Sequence, residues 1–162
     1  MTFLNAQRQG TKGLCGAGVA YRLCEALTRE KGIDSEELYS SLDLVALATI
    51  ADVVPLNQEN RTLVRYGLKA LAHTKLPGLR ALMLRAGLGN GPVEAGQVGF
   101  RIAPRINAAG RMTEAMTALE LLMSDDPSHS SALADQLEPG VLLTREGDGH
   151  TASSPDVSPK KL

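Results

Sequence analysis

LDLVALATIADVVPLNQENRTLVRYGLKAL, residues 42–71, is the stretch whose reading decides the fold. Its first half is an apolar run in which Leu44, Leu47, Ala48 and Ala51 recur at helical spacing. Ala and Leu favour helix, although an apolar run of this length also fits a buried strand. Helix is the better reading, and it ends near Asp52 because Pro55 biases Val54 out of the α region. The second half is plainer. Leu63, Val64, Leu68 and Leu71 form one apolar face over residues 58–72, and Arg61, Arg65 and Lys69 mark the wet face.

Working outward, residues 13–30 place Val19, Leu23, Ala26 and Leu27 on one helical face. Gly32 ends that helix, and Asp34 or Ser35 is placed to cap a short one after it. Gly13, Gly16 and Gly18 crowd the helix start; close helix packing is the plain reading, and their spacing is not a phosphate-binding fingerprint. On the other side, Pro77 suits the first position of a helix carrying Leu79, Leu82, Met83 and Ala86, closed by Gly87, Gly89 and Gly91. A further helix covers Val93 to Ile102 and breaks at Pro104. Thr113 is placed to cap a helix holding Met116, Leu119, Leu122 and Met123, and Pro127 to Glu138 is amphipathic with Leu133 and Leu137 inward. Met83, Met112, Met116 and Met123 read as core filler. Residues 1–12 read as a flexible N-terminus, and residues 139–162, rich in Pro, Gly and Ser without periodicity, read as a disordered tail.

Composition narrows the function. The chain has 162 residues, 43% hydrophobic and 22% charged, with net charge −1, so attraction for nucleic acid must come from a local patch. Aromatics are 3%, which leaves the core to Leu, Val, Ile, Ala and Met. Cys15 and Cys24 make neither a zinc knuckle nor a disulfide framework, and reduced thiols fit a cytoplasmic setting. His73, His129 and His150 are scattered, so no self-contained zinc site is expected, and no Gly-x-Ser-x-Gly supports a nucleophilic triad. No run of ~18 apolar residues spans a bilayer, so no membrane partner is expected.

Two places hold the candidate chemistry. Asp52 closes a strongly apolar run, where a carboxylate is either solvated at a helix end or meets a metal at the rim of a cleft. Glu59, Asn60 and Arg61 read as a solvated helix start, with Arg61 also able to pair with Asp52. GFRIAPRINAAGRM, residues 99–112, holds Arg101, Arg105 and Arg111 with no acid between Glu94 and Glu114. Guanidinium groups fork onto phosphate oxygens, Asn107 can bond a phosphate or sugar, and Gly110 lets a strand approach the backbone. Exposed arginines in a loop are the plainer alternative.

Together, residues 42–71 and VGFRIAPRINAAGRM, residues 98–112, resemble the latter half of the catalytic domain of RecJ exonucleases, members of the DHH phosphoesterase superfamily. LCGAGVAYRLCEAL, residues 14–27, resembles the helix after that family's Asp-His-His motif. The resemblance implies a mostly α chain forming the helical half of an α/β DHH-type phosphoesterase domain over residues 13–138, ending in the start of a linking helix. It implies degradation of single-stranded DNA in the 5′→3′ direction, in repair and recombination, with a pair of Mn2+ or Mg2+ ions. By resemblance Asp52 is a catalytic, metal-binding aspartate, and Arg105, Asn107 and Arg111 contact the substrate phosphates.

The family's Asp-x-Asp and Asp-His-His motifs do not occur in this sequence. The expectation is therefore a fragment, from an incomplete or frame-shifted reading frame, that is inactive alone and exposes the apolar face its sheet would cover. The alternatives are a non-catalytic helical nucleic-acid-binding module, in which the arginines grip phosphate without hydrolysis, and a plain helical interaction protein.

Overall fold

The computed structural model describes residues 13–137 apart from 34, 90 and 112–114. The expected flexible N-terminus and disordered tail, Thr113 as a cap, and Met112 lie outside the described residues. Those described form helices α1 (Gly16–Lys31), α2 (Glu36–Ser40), α3 (Leu42–Ala51), α4 (Gln58–Ala72), α5 (Pro77–Arg85), α6 (Ala95–Gln97), α7 (Ala103–Arg111), α8 (Ala115–Met123) and α9 (Pro127–Gln136). A π-helical segment, Val98–Ile102, joins α6 to α7. Among the described residues there is no strand, and no helix is long and apolar enough to cross a membrane.

The central apolar run is a helix, as its Ala and Leu content predicts. It is buried on more than one side: Leu42, Asp43, Val45, Ala46, Leu47 and Thr49 are all enclosed. A helix that is apolar all round must be surrounded, so α3 packs against α1, α4, the π segment and α7. The crossing with α4 is tight. A methyl group at Gly67 would overlap the Leu42 carbonyl and the Ala46 side chain. A second such contact sets α5 on α8, where a methyl at Gly78 would overlap the Leu121 carbonyl. Close packing thus falls to Gly67 and Gly78. Gly16 faces open space, and Gly18 meets only Leu14 and Cys15 of its own chain segment.

The helix ends follow local chemistry. Cys15 caps α1, its Sγ accepting from the Gly18 amide at 3.4 Å and meeting Thr49 Oγ1 at 3.4 Å. Gly32, at φ 63°, closes α1, with the Ile33 amide donating back to Thr28. Pro77 and Pro127 open α5 and α9, and Asp126 caps α9 by accepting from the Ser128 amide at 2.8 Å.

Two expectations are corrected. The chain does not break at Pro104, which lies in the first turn of α7. The π segment just before it pairs the Ala103 amide with the Val98 carbonyl, so the shift back to α-helical pairing falls where proline has no N–H to offer. The apolar face of α1 is largely outward: Leu23 and Leu27 are 46% and 47% exposed, and it is Gly18 and Tyr21 that turn inward. No described element packs over that stripe. Second, Met116 and Met123 are 71% and 72% exposed, whereas Met83 is in the core. Helix α8 instead turns Ala118 and Leu121 inward, because Leu121 must sit over Gly78.

Asp43 went unread in the sequence. It is buried in the first turn of α3, accepting from the Thr74 hydroxyl at 2.7 Å and the Leu44 amide at 2.6 Å. Burial lifts its carboxyl above the usual 3.8, and the two hydrogen bonds pull it back.

The packing around α3 can be probed at two positions. Gly67→Ala should lower the unfolding free energy by at least about 2 kcal/mol, because backbone rather than a flexible side chain stands in the way. Gly16→Ala, with open space, should stay within about 1 kcal/mol of the parent in the same urea titration. For Asp43, a folded-state pKa raised above the unfolded value means the folded chain binds more protons from about pH 4 upward. The group's stabilising contribution is therefore full below the unfolded value and is lost as pH rises through the folded one. Asp43→Asn should flatten the loss of urea midpoint on going from about pH 4 to pH 7, and an unchanged slope would remove Asp43 as its source.

Candidate functional site

Asp52 is the residue at which α3 ends. The Val53 amide donates to Ile50 at 3.1 Å and the Val54 amide to Thr49 at 3.0 Å, a Schellman pairing whose left-handed position normally holds glycine. Here that position is Val53, at φ 51° with its side chain 85% exposed. A β-branched residue in this region costs on the order of 1–2 kcal/mol, and such strain gathers where a backbone direction has to be kept. The result is an exposed Asp52 carboxylate that, among the described residues, has no hydrogen-bond or ion-pair partner.

Asn60 secures the loop that follows. It is fully buried, and its Nδ2 donates to the Gly13 and Pro55 carbonyls at 2.8 Å each. Its own amide is accepted by Asn57 Oδ1 at 3.1 Å, the N-cap of α4. Sequence reading placed Asn60 in a solvated charge cluster. The signal it missed is register: Asn60 stands at helical spacing from Val64, Gly67 and Leu71, the face turned to α3. Nor do its neighbours join Asp52. Glu59 accepts from Arg22 Nε at 2.9 Å and Nη2 at 2.7 Å, and Arg61 lines a groove along α4.

The arginine-rich stretch lies on the π segment and α7, which pack against α3. A methyl at Gly99 would stand 3.4 Å from Ile50 Cγ2, so the π segment crosses α3 within two residues of Asp52. Asn107 is exposed on α7, and Arg111 is the last residue of that helix, its side chain outside the described residues. Arg105 is buried rather than solvated. Its guanidinium donates to the carbonyls of Arg101 and, at 3.3 Å, Arg85. Arg85 is the last residue of α5, whose carbonyls have no intrahelical partner, so Arg105 ties the end of α5 to the π segment. The structure therefore brings Asp52 and the π–α7 helix to adjoining positions, with part of Arg105's donor set spent on the fold.

The sequence matches no family model. It does match single-stranded-DNA-specific RecJ exonucleases: that of Bacillus subtilis is 42% identical over 127 residues, covering 78% of this chain and 15% of that protein. The Thermus thermophilus RecJ is 46% identical over 122 residues, 75% of this chain and 18% of its own. Among solved structures, RecJ from Thermus thermophilus in complex with Mn2+ matches with a TM-score of 0.76 and 39% identity, over 86% of this chain and 21% of that one. An exonuclease RecJ bound to manganese matches with a TM-score of 0.77 and 39% identity, over 87% of this chain and 36% of that one. The chain is thus related in sequence and fold to a segment of the RecJ exonucleases, and spans less than a quarter of the length of these curated relatives.

Metal ions in those neighbours raise the question of what this chain could hold. Among the described residues no three His, Cys, Asp or Glu side chains gather to hold a metal ion. Asp52 offers one carboxylate, and Glu59 is committed to Arg22. The described residues do not fit a pair of divalent ions, and no reaction step is assigned to metal held by this chain alone. The strained Val53 does yield a test. Val53→Gly should raise stability by about 1 kcal/mol in urea unfolding, since the side chain is exposed and glycine accepts this backbone freely. A loss of stability would show that the left-handed turn carries no strain.

Proposed function

We propose that this chain is the helical part of a RecJ-type single-stranded-DNA-specific exonuclease, a metal-dependent phosphodiesterase of DNA repair and recombination acting in the 5′→3′ direction in the cytoplasm. In this reading it contributes one metal ligand and a phosphate-contacting helix, and it does not hydrolyse DNA alone. The observation that carries the reading is the placement of Asp52: an exposed, unpaired carboxylate, aimed by a strained turn and a buried asparagine, beside the π–α7 helix. A carboxylate that stabilises its own fold would be paired or capping; this one is left open for a ligand from outside.

Each residue then has a part. Asp52 would be one ligand of a Mn2+ or Mg2+ pair whose other ligands lie elsewhere in the enzyme, the pair stabilising the attacking and leaving oxygens of the phosphodiester. Asn107 and Arg111 would bond the phosphates of single-stranded DNA along α7. Arg105 would contact the substrate while keeping its bonds to Arg101 and Arg85, which fix where α7 lies. The outward stripe of α1, Val19, Leu23 and Leu27, is the face that would cover the parallel sheet of an α/β DHH-type domain. A second reading, a non-catalytic module that binds nucleic acid through α7, is favoured by the lack of any metal-ligand cluster among the described residues.

The test is a manganese-supplemented assay on 5′-labelled single-stranded DNA. The chain alone should show no turnover. Residues 13–137 grafted into the matching segment of the Thermus thermophilus relative should support it. In that graft Asp52→Ala should reduce the rate at least about 100-fold, because even losing a group behind a metal ligand costs about 10- to 100-fold. An active graft indifferent to Asp52→Ala would sink the assignment. Salt-sensitive DNA binding by the chain, with an inactive graft, would select the binding module.

A further inference from the structure

Helix α4 carries a feature that neither the Asp52 site nor the DNA reading uses. Between α4 and the Gly91–Val93 segment runs an open groove of about 900 Å³. Its floor is aliphatic: Leu56, Val64, Leu68, Ala72 and Val93. Along one edge stand Arg61, Arg65 and Lys69, four residues apart and therefore about 6 Å apart along the helix axis. All three are exposed, and among the described residues none has an ion-pair partner; Lys69 does lie 5.6 Å from the centre of the Tyr66 ring. No acidic side chain lines the groove, and among its described lining residues the only ring is the His73 imidazole at the end of α4. In a chain of net charge −1, a row of three cations beside an aliphatic floor is a local departure from the whole.

We propose that this groove docks a short acidic amphipathic segment of a protein partner, its apolar residues on the floor and its carboxylates facing Arg61, Arg65 and Lys69. Charge complementarity and the floor select this occupant. A helix with Asp or Glu every fourth residue repeats its carboxylates at the same 6 Å interval as the cations, and its apolar stripe fills an aliphatic groove in the manner of helix-in-groove recognition. Single-stranded nucleic acid would find the charges but only the one His73 imidazole to stack on, and successive base stacking supplies much of the affinity of such strands. The long stems of the two arginines and the lysine extend the apolar wall while their heads stay in water, so the docked segment need not bury an unpaired charge.

Fluorescence anisotropy on the full chain tests this with a labelled peptide of about 14 residues, four helical turns, bearing Glu at every fourth position and Leu on the adjoining face. A scrambled peptide of the same composition and an oligo-dT of about 12 nucleotides, within the span of a single-strand site, serve as comparisons. The patterned peptide should bind at least about tenfold more tightly than the scrambled one, a difference of about 1.4 kcal/mol. The double charge reversal Arg61→Glu with Arg65→Glu should weaken it by about tenfold or more while circular dichroism stays unchanged, since both side chains are exposed. Leu56→Ser, in the loop outside every helix, should weaken it severalfold without touching the charges. Equal binding of patterned and scrambled peptides, or indifference to the charge reversal, would overturn the proposal. So would displacement of the peptide by oligo-dT that depends on the same arginines, which would make the groove a nucleic-acid surface. None of these variants alters Asp52 or α7, so failure here leaves the exonuclease assignment standing.

Discussion

The contact on which this structure depends is the near approach of two helix backbones at Gly67. Helix α3 has no wet face: of its ten residues, six are buried and the rest half-buried. It can exist only if enclosed, and the side chain missing at Gly67 lets α4 come close enough to enclose it on one side. Helices α1, α7 and the π segment complete the wall. Most of the polar atoms this traps are answered within the core. Thr74 reaches Asp43, Thr49 donates its hydroxyl proton to Val45 at 2.7 Å and meets Cys15, and Asn60 ties two loop carbonyls. Each such bond offsets a desolvation that would otherwise cost about 1–3 kcal/mol.

Enclosing α3 also determines what its end can do. Because the helix is fixed along its length, its last turn emerges in one direction, and the left-handed Val53 turns the chain sharply away so that Asp52 stays on the surface. Asn60 then holds the departing loop against the start of α4. The candidate ligand is therefore positioned by groups that do not touch it. On the adjoining helix the same economy appears in Arg105, whose guanidinium joins the end of α5 to the π segment while Asn107 stands exposed.

The outward α1 stripe and the α4 groove are different kinds of apolar surface. The stripe is an uncharged row, Leu23, Ala26 and Leu27, exposed along the helix that packs on α3. The groove is narrow and edged by cations, which suits a partner that comes and goes under charge control rather than a permanent layer.

Much of this was legible in the residues themselves. Periodicity placed α4 at its observed bounds, Pro77 and Pro127 marked helix starts, and Gly32 marked an end, because caps and apolar stripes are local properties of the chain. The motif resemblance marks Asp52, Arg105, Asn107 and Arg111 as candidates without reference to the fold. Local pattern failed wherever a neighbour decided the outcome. It turned Met116 and Met123 inward because it could not see that nothing described covers them. It read Asn60 as wet, left Asp43 unnoticed and saw Arg105 as either exposed or bound to phosphate, since partners such as Thr74, Gly13 and Arg85 lie far along the chain. It broke a helix at Pro104 because proline removes an α-helical bond, and a π turn can absorb that loss only in three dimensions. What the sequence by itself determined is which segments are helices and which residue types could meet a metal or a phosphate. Only the tertiary structure decided which faces are buried and which polar groups are already satisfied, because burial and pairing depend on contacts between residues that the chain order keeps apart.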